Sequence, residues 1–109
     1  MDSTTSIAQL KSKVVKFRDE RGLKKFHEIK DLSAAIAIES AELQETILWK
    51  SDDEIKKFLT NAKNLEGVED EMADIAIYLL SLADVLGIDF SDSILKKLRR
   101  NEIKHPIKK

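Results

Sequence analysis

Residues 68–87 read VEDEMADIAIYLLSLADVLG, and their pattern decides the fold. Val68, Met72, Ile75, Leu79, Leu82 and Leu86 recur at alternating steps of four and three, the spacing of a helix that turns one apolar stripe toward a neighbour. Gly87 is the natural stop, since glycine accepts the left-handed backbone that closes a helix. Ala76, Ile77, Leu80, Ala83 and Val85 lie off the stripe, so the apolar surface is wider than one packed helix covers. This predicts a central helix, a subunit interface, or both.

The remaining segments arrange themselves around that helix. Ile7, Leu10, Val14 and Phe17 form a shorter stripe that ends before Gly22, and Leu23 to Lys30 reads as a loop. Asp31 is a candidate cap for a second helix running through Ala34 to about Trp49. Ser51 and Glu54 have capping-box spacing and open a short third helix, which should end near the stretch Asn61 to Gly67. Asp89 or Ser91 can start a fifth, bearing Ile94, Leu95 and Leu98 and closed by Pro106. Three glycines and one proline in 109 residues, with no sustained alternation, leave few turns for a sheet. The expectation is all-α: a four- to five-helix antiparallel bundle, one domain over residues 1–109, and oligomeric.

Composition excludes several classes. Without cysteine there is no disulfide framework, thiolate metal site or sulfur redox chemistry. Met1 to Leu10 lacks a basic stretch leading into an apolar one, and Asp84 interrupts the apolar segment around Ile75 to Ile88, so neither a leader nor a membrane span is expected. A soluble, cytoplasmic protein is. The net charge of −1 gives no general attraction to nucleic acid polymers or anionic membranes. Its distribution is uneven: residues 31–95 carry −11, residues 1–30 carry +4 and residues 96–109 carry +6. An acidic centre between basic ends suits a protein that holds cations centrally and reaches toward an anion.

Within the acidic centre, Glu39 and Glu42 are three apart on the second helix, and Glu71 and Asp74 are three apart on the fourth. Each pair projects from one side of its helix. Solvated acids on a helix exterior are common, but these sit in apolar sequence, Glu39 directly after the run Ala34 to Ile38 and Asp74 directly before Ile75, Ala76 and Ile77. No Lys or Arg stands three or four residues from any of them. Like charges at that spacing disfavour the helix by a few tenths of a kcal/mol, so the missing positive charge must come from outside it. A divalent cation meets that need, and all-oxygen ligation suits Mg²⁺ first, with Mn²⁺ as a substitute. A di-iron bundle would need two E-x-x-H motifs, whereas only Glu102 with His105 supplies one.

E-x-x-E on one helix followed by E-x-x-D on a later one resembles the hallmark of the MazG-like all-α nucleoside triphosphate pyrophosphohydrolases, within them the dCTP pyrophosphatase-like branch. The motifs here are Glu39-Ser40-Ala41-Glu42 and Glu71-Met72-Ala73-Asp74. The resemblance extends over Phe17-Arg18-Asp19-Glu20-Arg21-Gly22, Phe26-His27, Trp49, Tyr78, Lys97, Asn101, Lys104 and Pro106, that is, from about Val14 to Pro106. It implies hydrolysis between the α- and β-phosphates to a nucleoside monophosphate and pyrophosphate, and a homodimer or dimer of dimers with a pocket completed by a second chain. Departures at Leu23, where the branch usually has an aromatic residue, at Ser40 or Ala41, where it often has glycine, and at His105, where tyrosine is common, bear on base preference.

The roles follow. Glu39, Glu42, Glu71 and Asp74 are the expected metal ligands. Glu42 and Glu45 are candidates for orienting or deprotonating a water, although Glu45 equally reads as a solvent-facing acid. Lys97, Asn101 and Lys104 share one face of the fifth helix and, with Tyr78 one turn beyond Asp74, are candidates for phosphate contacts. Phe26, His27 and Trp49 are candidates for the base pocket, by stacking and by imidazole hydrogen bonding. The competing readings are a phosphoribosyl-ATP pyrophosphohydrolase, less well matched by Phe26-His27 and Asn101, and a non-catalytic helical interaction module using the wide apolar face of the fourth helix.

Overall fold

A computed structural model describes residues 1–108, and every regular element among them is helical. Five α-helices follow in order: α1 (Ile7–Glu20), α2 (Ile29–Ile47), α3 (Asp52–Leu59), α4 (Ala62–Leu86) and α5 (Phe90–Lys104), with a 3-10 turn at Lys24–Phe26 after α1. The capping box that opens α3 is formed, Ser51 Oγ accepting from the Glu54 amide and the Glu54 carboxylate accepting from the Ser51 amide, both at 3.2 Å. Gly22 and Gly87 take positive φ values of 63° and 65° after α1 and α4, the conformation that an L side chain would strain. Asp89, rather than Ser91, caps α5.

Two boundaries differ from the sequence expectation. α2 starts at Ile29 after Glu28, so Asp31 lies in its first turn, favoured there by the helix dipole instead of acting as the cap. α4 starts at Ala62, because the Asn61 side chain accepts from the amides of Lys63 and Asn64 at 3.0 and 3.2 Å. The helix then runs straight through Gly67. A glycine inside a helix costs about 1 kcal/mol relative to alanine, too little to end a helix that is capped at Asn61 and packed along its length.

α4 is the axis on which α1, α2 and α3 pack. α1 runs antiparallel to its C-terminal half, with Lys11 opposite Ile88 and Arg18 opposite Ser81. α2 is also antiparallel, His27 just before it meeting Ser81 while Glu39 meets Glu71. The apolar side chains that become buried, Leu32, Leu80 and Ala83, lie where these helices meet.

α5 departs from the bundle expectation. Beyond its first turn, which lies against the start of α1, it packs along none of the other helices, and every side chain from Ser91 to Lys104 except the half-buried Asn101 is exposed. The chain is correspondingly open: its radius of gyration is 16.8 Å, against about 13 Å for a compact domain of this length. Its accessible surface is 8829 Å², against roughly 6,100 Å² for a folded monomer of this size.

Candidate metal centre

The antiparallel pairing of α2 and α4 brings carboxylates from both helices together. Oxygens of Glu39, Glu42 and Glu71 all lie within 4.8 Å of one another. Asp74 is one helical turn beyond Glu71, close enough for its charge to act on Glu39. Among the described residues none of the four forms an ion pair. The Glu71 carboxylate, followed by lost hydration and then by Glu42 and Asp74, pushes Glu39 up to about 7. Oε2 of Glu39 and Oε2 of Glu71 are both shut away from solvent without a hydrogen-bond donor.

Buried acceptors of this kind are unfavourable until a proton or a cation satisfies them. Three acidic groups with free oxygens, no thiolate and no imidazole among them, make a donor set for a hard divalent ion. The residues present therefore fit a metal held by oxygen. Glu45, in the last turn of α2, is exposed and outside this cluster.

Beside the cluster is a cavity of about 230 Å³ whose wall includes Asp74, Tyr78, His27, Phe17 and Leu23. Asp74 thus links the carboxylates to a partly open, largely apolar space. The His27 ring stands 5.9 Å from that of Tyr78, centroid to centroid. Its Nδ1 is 2.8 Å from Ser81 Oγ, and Ser81 is 0% exposed. The same Oγ accepts from Arg18 Nη1 at 3.2 Å. Arg18 is itself only 2% exposed and donates to Asp19 and to Asp84, each at 2.9 Å. Burial, then the Arg18 charge, holds His27 below the usual histidine range.

The other expected site residues are not all brought here. Phe26 faces outward under the Lys25 ammonium, which stands 5.1 Å from its ring, and does not line the cavity. Trp49 is 92% exposed, with a φ of 67°, just past the far end of α2. At 1.5 Å per residue, α2 separates it from His27 by about 27 Å, so one chain cannot close both residues on one base. Lys97, Asn101 and Lys104 lie on the projecting α5, where Lys97 borders a shallow hollow built only of α5 residues. Arg18, Ser81, Phe17 and Leu23 were missed as site residues. The stretch Phe17-Arg18-Asp19 was visible, but a buried arginine cannot be told from a surface one by sequence.

Fold and site together define an all-α protein with a carboxylate cluster clasped between two antiparallel helices. The chain belongs to the MazG-like family, whose pattern matches residues 34–109, and stands with its dCTP pyrophosphatase-like branch. It is 31% identical to dCTP pyrophosphatase 1 of Mus musculus over 91 residues, 84% of this chain and 54% of that one. It is 30% identical to the Homo sapiens protein of the same name over 90 residues, 83% of this chain and 53% of the other. The chain therefore spans about half the length of these relatives. A pyrophosphatase from Archaeoglobus fulgidus shares its fold at a TM-score of 0.84 and 39% identity, with 93% of each chain covered.

Proposed function

We propose that this protein is a Mg²⁺-dependent nucleoside triphosphate pyrophosphohydrolase that releases a nucleoside monophosphate and pyrophosphate and clears unwanted nucleotides from the cytoplasmic pool. The observation that carries this reading is the pair of inward oxygens on Glu39 and Glu71, buried without donors in a cluster that lacks any cation of its own. The pyrophosphatase relatives support it, dCTP pyrophosphatase 1 pointing to a pyrimidine deoxynucleotide as the first substrate to try.

Glu39, Glu42, Glu71 and Asp74 would hold the ion, which supplies charge shielding for the triphosphate and acidifies a bound water. Mn²⁺ should substitute. Glu42 is placed at the exposed edge of the cluster, where it can orient a water or take its proton, and Glu45 is the outer alternative. Tyr78 and His27 line the cavity beside Asp74, where Tyr78 would reach a phosphate oxygen and His27 the base. Lys97, Asn101 and Lys104 would meet phosphate oxygens, and Phe26 and Trp49 the base, in an assembled site.

That site needs a second copy of the chain. Trp49 and the α5 cations line no part of the cavity of their own protomer, and Leu95 and Leu98 are 57% and 51% exposed on a helix that, beyond its first turn, packs along no other helix among the described residues. A homodimer or homotetramer would cover this surface and deliver those residues to a neighbour's carboxylates.

The test is to incubate the protein with single nucleoside triphosphates and Mg²⁺, dCTP first, and to measure pyrophosphate against an EDTA control. Orthophosphate as the only product, or no metal-dependent product, sinks the proposal. Sedimentation equilibrium at micromolar concentration should show a dimer or tetramer, and a monomer would refute the shared site.

A further inference from the structure

The hydrogen-bond valences around Ser81 determine which proton His27 carries. A serine hydroxyl has one hydrogen and two acceptor positions. Arginine can only donate, so Arg18 Nη1, at 3.2 Å, occupies one acceptor position of Ser81 Oγ. The hydroxyl hydrogen still needs an acceptor, and Ser81 is fully buried, so no water supplies one. Ser33 and Ser40 on α2 give theirs to the backbone carbonyl one turn back, at 2.7 and 2.8 Å. Among the described residues Ser81 makes no such bond, and its only other partner is His27 Nδ1 at 2.8 Å. The hydrogen therefore points at Nδ1, which must be bare, and the imidazole proton is on Nε2.

Were Nδ1 protonated instead, Ser81 would accept twice and its own hydrogen would be buried without a partner, at a cost of about 1–3 kcal/mol. The lowered proton affinity of His27 agrees with a neutral ring. Nε2 itself bonds to none of the described residues and is not sealed from solvent. It belongs to a ring that borders the cavity shared with Asp74 and Tyr78.

We infer that Arg18 and Ser81 are positioning residues that lock His27 as the Nε2–H tautomer, so that it presents a hydrogen-bond donor and selects a nucleobase edge offering a carbonyl or bare ring nitrogen. This rests on the reading of the cavity as the base pocket. The geometry of the lock itself does not. Arg18 is held between Asp19 and Asp84, both at 2.9 Å, so its guanidinium cannot swing away to release the hydroxyl.

Long-range ¹H–¹⁵N correlation spectra of the histidine rings read the tautomer directly in the metal-free protein at neutral pH. His105→Gln removes the signals of the other histidine. The expected pattern is a bare Nδ1 and a protonated Nε2. A protonated Nδ1, or a mixture of tautomers, overturns the lock. Ser81→Ala should mix the tautomers, while Ser81→Thr, which keeps the hydroxyl, should preserve the Nε2–H form.

Titration with dCMP, which needs no metal and is not hydrolysed, then tests the pocket. The His27 Nε2–H proton should move downfield on binding, and Ser81→Ala should weaken dCMP by about tenfold, the worth of one hydrogen bond. If the tautomer is as expected but dCMP leaves His27 unmoved, the base-pocket reading fails while the lock stands. If dCMP binds wild type and Ser81→Ala equally with His27 perturbed in both, the lock has no part in selection and the inference falls.

Discussion

Near the C-terminal end of α4, Ser81 stands against an arginine flanked by two carboxylates, and Arg18, Ser81, Asp19, Asp84 and His27 Nδ1 each find a partner within the chain. On the same helix, about 15 Å earlier, Glu71 faces two more glutamates and, among the described residues, forms no ion pair. Both clusters pack α4 against the helices before it, yet they do opposite things to the free energy of folding. The first satisfies its charges internally, so it holds the fold and sets the ring of His27. The second leaves like charges and two buried oxygens uncompensated, which opposes folding. The metal role proposed above accounts for a cluster that opposes folding while sitting between the best-packed helices.

Four experiments probe this contrast. Glu71→Gln should have the largest effect, lowering pyrophosphate release at least about 100-fold by removing a proposed ligand. Its thermal midpoint in EDTA should stay level or rise, because one repelling charge is gone. A parallel loss of stability would break the contrast. Arg18→Ala should act in the other direction, costing about 3 kcal/mol in denaturant unfolding. That is toward the low end for breaking a buried ion pair, because Asp19 and Asp84 keep part of their hydration.

The third uses pH. Glu39 is raised from 4.5 to about 7, so the folded chain keeps a proton that the unfolded chain has released. The sign is that metal-free stability from this group is fully present below about 4.5 and is lost as pH rises through about 7. His27, with its lowered proton affinity, works oppositely on the acid side of the same window, losing stability as pH falls. The difference between wild type and Glu39→Gln in EDTA isolates the carboxylate: it should favour wild type less and less from pH 5 to pH 8. Added Mg²⁺ should flatten that trend, and if it does not, protons and metal are not competing for the same oxygens. The smallest effect is expected of Gly67→Ala, whose added Cβ meets nothing within 4 Å and touches neither cluster. It should stabilise by about 0.5–1 kcal/mol and leave turnover unchanged, showing that stability alone does not move activity.

The helices were legible because their signals are local. Glycines at 22 and 87 and the Ser51–Glu54 box act within one turn of chain, and the structure uses each as read. The start of α4 was misplaced because Gly67 looks like a break, whereas Asn61 caps earlier amides and packing carries the helix through. In the site, the carboxylate motifs showed in the spacing of Glu39, Glu42, Glu71 and Asp74 and in the lack of nearby cations. The arginine knot did not, since Arg18 and Ser81 are 63 residues apart and neither residue type announces burial. Phe26, His27 and Trp49 formed one group on residue type alone. Only the length of α2 separates them.

The sequence by itself determined an all-helical chain, its apolar central helix and the four acids without local counter-charge, because periodicity, caps and charge spacing are written within a few residues. Tertiary structure decided which oxygens of Glu39 and Glu71 turn inward, that Arg18 is buried, that Ser81 holds His27, and that α5 stands clear of its own bundle. Those facts depend on how antiparallel helices register against one another, and register is a balance of packing over the whole interface that no short stretch of residues contains.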